Sequence, residues 1–249
     1  MRTTYVVTGA SRGIGLAIVE ELLKDESNYV IAAVRDRSAQ SLQDLRTKYP
    51  SGSLESVHLD LDDLASVRHA AVDADDRLRG GLDYLIHCAG VSMQDLTPFE
   101  EVSLKLYEEQ LRLNTVAPLE VIRSFLSPLR NGGAKKILLL SSGLGSIQNA
   151  PNIPGYCESY SVSKAGLNMM ARKWGASLSK EGITMILVHP GWVDTDMGNA
   201  TKEWMAKHFP DFKQISGAQS ATGCVNVLRE AKLEDAVSFY NWDGSRLPW

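Results

Sequence analysis

Thr8-Gly9-Ala10-Ser11-Arg12-Gly13-Ile14-Gly15 lies between a short apolar run, 5–8, and a segment of helical period, 13–24. A strand that turns sharply into a helix needs a residue without a Cβ at the turn, and Gly9 supplies it. Gly13 lets the backbone approach an anionic ligand, and Gly15 lets the helix pack closely on the strand. The helix N-terminus adds unpaired N–H groups and the positive end of a dipole, a ready cradle for pyrophosphate. Gly9, Ser11, Arg12, Gly13, Ile14 and Gly15 are therefore the expected phosphate end of a dinucleotide site. The spacing is G-x-x-x-G-x-G, not the commoner G-x-G-x-x-G.

Outward from this turn, apolar runs at 29–34, 54–59, 84–87, 137–141, 185–189 and 237–240 read as strands. Between them lie segments of helical period at 39–48, 63–78, 100–130, 160–180 and 217–231. Strands apolar on both faces and separated by helices imply a parallel sheet covered on both sides. Right-handed crossovers then give a doubly wound α/β sheet. No repeat, low-complexity tract or linker divides the 249 residues, which suit one domain. The least patterned stretches, 143–158 and 194–216, follow strand ends, where ligands bind in open sheets of this kind.

The bulk numbers narrow the class. A hydrophobic share of 44% and a charged share of 22% are those of a globular protein. A net charge of −4 argues against nucleic acid or a membrane surface as partner. Cys88, Cys157 and Cys224 are widely spaced, with no C-x-x-C pair. They point to a reducing compartment, not to a disulfide framework or a metal site. With no long apolar segment and no room for a signal peptide before the first strand, a cytoplasmic protein is expected.

The second strand ends Val34-Arg35-Asp36-Arg37. An acidic residue at the strand end would bind the ribose 2′-hydroxyl of NAD. Val34 has no carboxylate, while Arg35 and Arg12 could clamp a 2′-phosphate, so NADP(H) is favoured; Asp36 keeps NAD open. Asp60 and Leu61, after the third strand, are candidates to frame the adenine, or are an ordinary loop.

Tyr160-Ser-Val-Ser-Lys164 sets a phenol and an ammonium four residues apart, on one helix face. Alone, such a pair is common on solvated helices. Beside a dinucleotide turn it gives a proton donor for a carbonyl or a base for an alcohol. A nearby cation is expected to pull the phenol's pKa down.

Taken together these residues resemble the short-chain dehydrogenase/reductase family over almost the whole chain. T-G-x-x-x-G-x-G is matched by Thr8–Gly15, and N-N-A-G is approximated by His87-Cys88-Ala89-Gly90. The family's helix asparagine is Asn114, its strand-end serine Ser142, and its Y-x-x-x-K pair Tyr160 and Lys164. Its P-G-x-V-x-T segment is Pro190-Gly191-Trp192-Val193-Asp194-Thr195. Residues 141–148 and 189–198 resemble the sniffer-type carbonyl reductases, the bacterial C-factor proteins and the fungal norsolorinic acid ketoreductases.

The resemblance implies a Rossmann-type, mainly parallel sheet of seven strands in the order 3-2-1-4-5-6-7. It implies a catalytic set of Asn114, Ser142, Tyr160 and Lys164. Ser142 would hold the substrate oxygen, Tyr160 transfer the proton, Lys164 bind the nicotinamide ribose and Asn114 seat a relay water. Ala89, Gly90, Pro190, Gly191, Val193 and Thr195 would complete the cofactor contacts. Two departures stand out. Cys88 replaces an asparagine that in the family hydrogen-bonds the central sheet near the cofactor, so this loop must be secured otherwise. Ser142 also precedes Tyr160 by a longer loop than many members have; Tyr156 sits within it but lacks a lysine four residues on.

Met93, Tyr156, Trp192, Met197 and Trp204 are the expected substrate contacts beside Ser142, with 194–216 as a lid. Their character suits an apolar ketone or aldehyde, including an aromatic or polyketide carbonyl. The expected activity is NADPH-dependent carbonyl reduction by a homodimer or homotetramer. Two rivals remain open: an NAD(P)⁺-dependent alcohol dehydrogenase, and a nucleotide-binding signalling protein without turnover.

Overall fold

The computed structural model describes residues 2–50, 52–78 and 80–249. In chain order its elements are β1 (Thr3–Thr8), α1 (Gly13–Leu23), β2 (Asn28–Val34), α2 (Gln40–Lys48), β3 (Leu54–His58) and α3 (Leu64–Leu78). There follow β4 (Tyr84–His87), α4 (Leu104–Leu111), α5 (Ala117–Asn131), β5 (Lys136–Leu140) and α6 (Glu158–Leu178). The last are β6 (Thr184–His189), α7 (Asp196–Asn199), α8 (Lys202–His208), α9 (Gly217–Glu230) and β7 (Phe239–Asn241). The seven strands form one sheet in the order β3-β2-β1-β4-β5-β6-β7, parallel at every pairing, as the sequence predicts.

Strand side chains alternate between faces. Tyr5, Val7, Val30 and Ala32 join Ile18 and Leu22 of α1 and Ala221 and Leu228 of α9 in one buried layer. Val6, Ile31 and Ala33 pack on the other face with Val67 of α3, Phe125 of α5 and Leu167 of α6. Each fully buried Val, Leu, Ile or Phe among them contributes about 1.5–3 kcal/mol. Both faces are thus closed, and the loops at the strands' carboxyl ends are left to carry chemistry. There the strand order reverses, because β4 returns to pair with β1, placing His87 opposite Thr8. A crevice at such a reversal is where ligands sit in sheets of this class.

Two elements differ from expectation. The single helix expected over 100–130 is two, α4 and α5, joined by a widened π turn at Arg112–Val116. The strand expected from 237 begins at Phe239, because Val237 takes a φ of 64°, outside the extended region, while its N–H still donates to the Met185 carbonyl of β6 (2.6 Å).

Candidate active site

The turn after β1 is built by backbone approach. Gly9 has a φ of 65°, and a Cβ there would stand 2.8 Å from the Ala89 Cα. A Cβ on Gly15 would run into the Gly9 carbonyl oxygen. The Gly9 N–H donates to the Ala33 carbonyl (3.0 Å), tying the turn to the end of β2. Arg12 occupies the N-cap of α1 in extended conformation and makes no capping bond with its side chain. The first N–H groups of α1 therefore face outward without a side-chain cap, beside exposed Gly13, half-buried Ser11 and Ile14 and an exposed Arg12. This arrangement fits the pyrophosphate of a dinucleotide.

At the end of β2, Arg35 is exposed. The Asp36 carboxylate accepts both the Ser38 N–H (2.8 Å) and its hydroxyl (2.5 Å), which lowers its pKa and commits it to its own turn. Asp60 likewise accepts the Asp62 N–H (3.0 Å), and Leu61 is turned into the core. Arg12 lies 3.8 Å from Asp196 of the lid, both side chains exposed, a pairing of small energetic weight.

The loop after β4 lies between the glycine turn and the segments that carry Asn114 and Tyr160. With Cys88 in place of the asparagine, Thr8 holds this loop: its hydroxyl accepts the Ala89 N–H (3.3 Å) and bonds His87 Nδ1 (2.9 Å). His87 is buried at the strand end, and burial pushes its pKa down to about 3, so it stays neutral. Asn114 sits in the π turn and clamps the next residue: its Oδ1 accepts the Val91 N–H (2.9 Å) and its Nδ2 donates to the Val91 carbonyl (2.8 Å). Nδ2 also donates to the Ser163 hydroxyl (3.0 Å), which in turn donates to the Tyr160 carbonyl (2.7 Å). A Cβ on Gly90 would stand 3.2 Å from Asn114 Oδ1 and 3.6 Å from Lys164 Nζ, so this loop joins the glycine turn to Asn114 and Lys164.

Ser142 follows β5 in extended conformation, and its hydroxyl accepts the Leu144 N–H (3.2 Å). It also lies close enough to the Tyr160 phenol to favour its phenolate. Burial outweighs that effect, aided by the nearby Cys157 and Asp95, and the Tyr160 pKa is raised. The downward shift expected from Lys164 is therefore not what this arrangement gives. The Lys164 ammonium is buried, donates to the Leu140 carbonyl (2.8 Å) and stands 5.6 Å from the Tyr160 ring centroid. Burial lowers its own pKa to about 8.

The lid begins against the phosphate turn. Thr195 caps α7 by accepting the Gly198 N–H (3.2 Å), and its methyl carbon lies 3.6 Å from where a Gly13 Cβ would be. Val193 is buried and bridges to Ile215, Pro190 accepts the Ser220 hydroxyl (2.7 Å), and Gly191 turns the chain at a φ of 86°. Tyr156, Cys157 and Met205 form a small cluster, and Leu144, Ile153, Tyr160, Trp192, Trp204 and Phe209 pack on it. The Tyr156 ring stacks on Trp204 (centroids 4.2 Å apart) and its hydroxyl donates to Thr201 (2.8 Å). Of the expected substrate contacts, Tyr156, Trp192 and Trp204 come together here around Tyr160. Met197 is exposed on α7, and Met93 packs against the larger core.

A family model described as short chain dehydrogenase matches residues 3–206. The chain belongs to the short-chain dehydrogenase family. A 1-hydroxy-2-glutathionyl-2-methyl-3-butene dehydrogenase from Rhodococcus sp. is 31% identical over 99% of this chain and 100% of that one. NADPH-bound carbonyl reductase from chicken fatty liver superposes with a TM-score of 0.88 at 34% identity, covering 100% of both chains. The carbonyl reductase Sniffer of D. melanogaster gives 0.87 at 25% identity, again over both chains completely.

Sequence reasoning on this short-chain dehydrogenase overlooked the residues that brace the tetrad. Gln110, fully buried, accepts the Met93 N–H (2.7 Å) and donates to the Ser159 hydroxyl (3.0 Å) beside Tyr160. Asn168 bonds on both sides of Ser142. Its position four residues after Lys164 was the one available signal.

Proposed function

We propose that this short-chain dehydrogenase is an NADPH-dependent carbonyl reductase acting on an apolar ketone or aldehyde, with residues 1–249 as one NADP(H)-binding domain. The observation that carries the reading is the convergence of the Ser142 hydroxyl, the Tyr160 phenol and the buried Lys164 ammonium beyond β5. They share the sheet edge with an uncapped helix N-terminus that suits pyrophosphate. NADPH, when bound, supplies the hydride. The exposed Arg12 and Arg35, the engaged Asp36 and the NADPH of the chicken carbonyl reductase support the phosphorylated cofactor.

The chain's own part is to polarise a carbonyl and deliver a proton. Negative charge builds on the substrate oxygen as hydride adds, and the two hydroxyls stabilise it as it forms. Because burial raises its pKa, Tyr160 is protonated at neutral pH and has a proton to give. Lys164, charged below about pH 8, stands behind it to stabilise the phenolate left. Both amide hydrogens of Asn114 are committed, to the Val91 carbonyl and the Ser163 hydroxyl, so its side chain has no donor left for a relay water. The aromatic cluster over Tyr160 favours an apolar substrate.

Among the described residues no helix is long and apolar enough to cross a membrane. The three unpaired thiols accord with a cytoplasmic setting. Exposed Leu104, Val116, Val162 and Met169 on α4, the following turn and α6 support a homodimer or homotetramer.

Tyr160→Phe tests the reading. It should bind NADPH as the wild type does, while carbonyl-dependent loss of NADPH absorbance falls by about 10²–10⁴-fold. Unchanged turnover in that variant would remove Tyr160 from the mechanism.

A further inference from the structure

Tyr160, Lys164 and Asn168 follow one another at intervals of four on α6, so the catalytic face continues one turn further than the motif. Asn168 is 3% exposed, and its carboxamide divides its bonds between the two flanks of Ser142. Its Oδ1 accepts the Ser141 hydroxyl (2.5 Å), and its Nδ2 donates to the Gly145 carbonyl (3.1 Å). The same two flanks are fixed elsewhere as well. The Ser141 N–H donates to the Val188 carbonyl of β6 (2.8 Å). Gly145 lies so close to α6 that a Cβ there would be 2.9 Å from both the Lys164 carbonyl carbon and its Cβ. A hydroxyl on a loop is free to shift unless its backbone is held, and a misplacement of about 1 Å at a reacting centre lowers rates on the order of 10²-fold.

We propose that Asn168 is a positioning residue for the Ser142 hydroxyl, locking the turn 141–145 onto α6 so that Ser142 and Tyr160 meet one substrate oxygen. The inference rests on the carbonyl reductase reading and deepens it. Asn168 acts through Ser142, so its contribution disappears when the hydroxyl does.

The experiment is a double-mutant cycle read by steady-state carbonyl reduction and by NADPH titration. Asn168→Leu keeps the branched shape and removes both bonds; Ser141→Ala removes one and serves if the bulkier first variant fails to fold. Each should lower kcat by about 10–100-fold while NADPH affinity stays within about twofold. In a Ser142→Ala background neither should lower kcat further. An undiminished kcat in Asn168→Leu or Ser141→Ala overturns the inference, as does the same fold-loss with and without Ser142. Parallel loss of NADPH affinity also overturns it, assigning Asn168 to the general frame. Absence of turnover in the wild type across a carbonyl panel would overturn the reductase reading and the inference with it; wild-type turnover unaffected by these variants overturns the inference alone.

Discussion

The turn after β1 and the loop after β5 both leave the carboxyl edge of one parallel sheet, and they differ in how much side chains do to hold them. Around Gly9 and Gly15 the chain is fixed by backbone against backbone, with Ala89 and the Gly9 carbonyl where side chains would otherwise be. Around Ser142 side chains are added to the backbone contacts of Ser141 and Gly145: Asn168 on both flanks, the Ser142 hydroxyl on Leu144, and Tyr156 stacked on Trp204. The difference follows from what each meets. A pyrophosphate is read by N–H groups and a helix dipole, which any side chain would obstruct. A carbonyl compound is distinguished by shape and by one oxygen, which exchangeable side chains can fit.

The comparison breaks most visibly at Gly15. Gly15→Val should abolish NADPH binding and destabilise the fold by about 1–3 kcal/mol or more, checked by cofactor fluorescence titration and thermal unfolding. Tolerance of that change would mean the backbone contact is not what shapes the turn. Arg35→Asp comes next. It should weaken NADPH by about 10–100-fold while changing NADH affinity far less. Equal effects on both cofactors would detach Arg35 from the 2′-phosphate.

A pH series sharpens the other side. The folded-state pKa of Lys164 is lowered to about 8 from its ordinary 10.5. Between those values the unfolded chain holds the proton and the folded one releases it, so this group adds stability as pH rises and none below about 8. The Tm difference between wild type and Lys164→Met should therefore shift in the wild type's favour from pH 8 towards 10, by up to about 1.4 kcal/mol per pH unit. A flat difference would place the ammonium in solvent. The smallest effect belongs to Tyr156→Phe, which removes the bond to Thr201 and should cost about 0.5–1.5 kcal/mol. It should appear in KM with kcat nearly unchanged. A kcat loss matching that of Tyr160→Phe would make Tyr156 the proton donor and undo the assignment.

What was legible in the sequence follows the same division. The glycine turn and the strand-end Arg35 depend on offsets within a few residues, and the Tyr160/Lys164 pair depends on one helical turn. The strand order followed from alternating buried strands and helices together with the family resemblance. Asn168 was not legible as a clasp, because its partners lie 23 and 27 residues away and only the tertiary fold brings them near. The break in the expected helix over 100–130 arises at the turn where Asn114 bonds Val91 and Ser163, contacts no periodicity announces. Met197 was chosen for its apolar side chain, which the short α7 leaves exposed. The direction of the Tyr160 shift is not legible in sequence, because the charge partner is visible there whereas the packing that desolvates the phenol is not.

The strand order has a consequence for how the molecule comes into being. β1, β2 and β3 make a three-stranded patch from the first 58 residues, and β4 then joins its open side at β1. From there each new strand pairs with the one before it. The sheet can thus be laid down in the order of synthesis, with no strand inserted between two already paired. Parallel pairing still requires each crossover to close first, so the sheet grows in chain order but not quickly. The glycine turn is in place first, and Ser142, Tyr160 and Lys164 follow β5, on five strands already there to receive them.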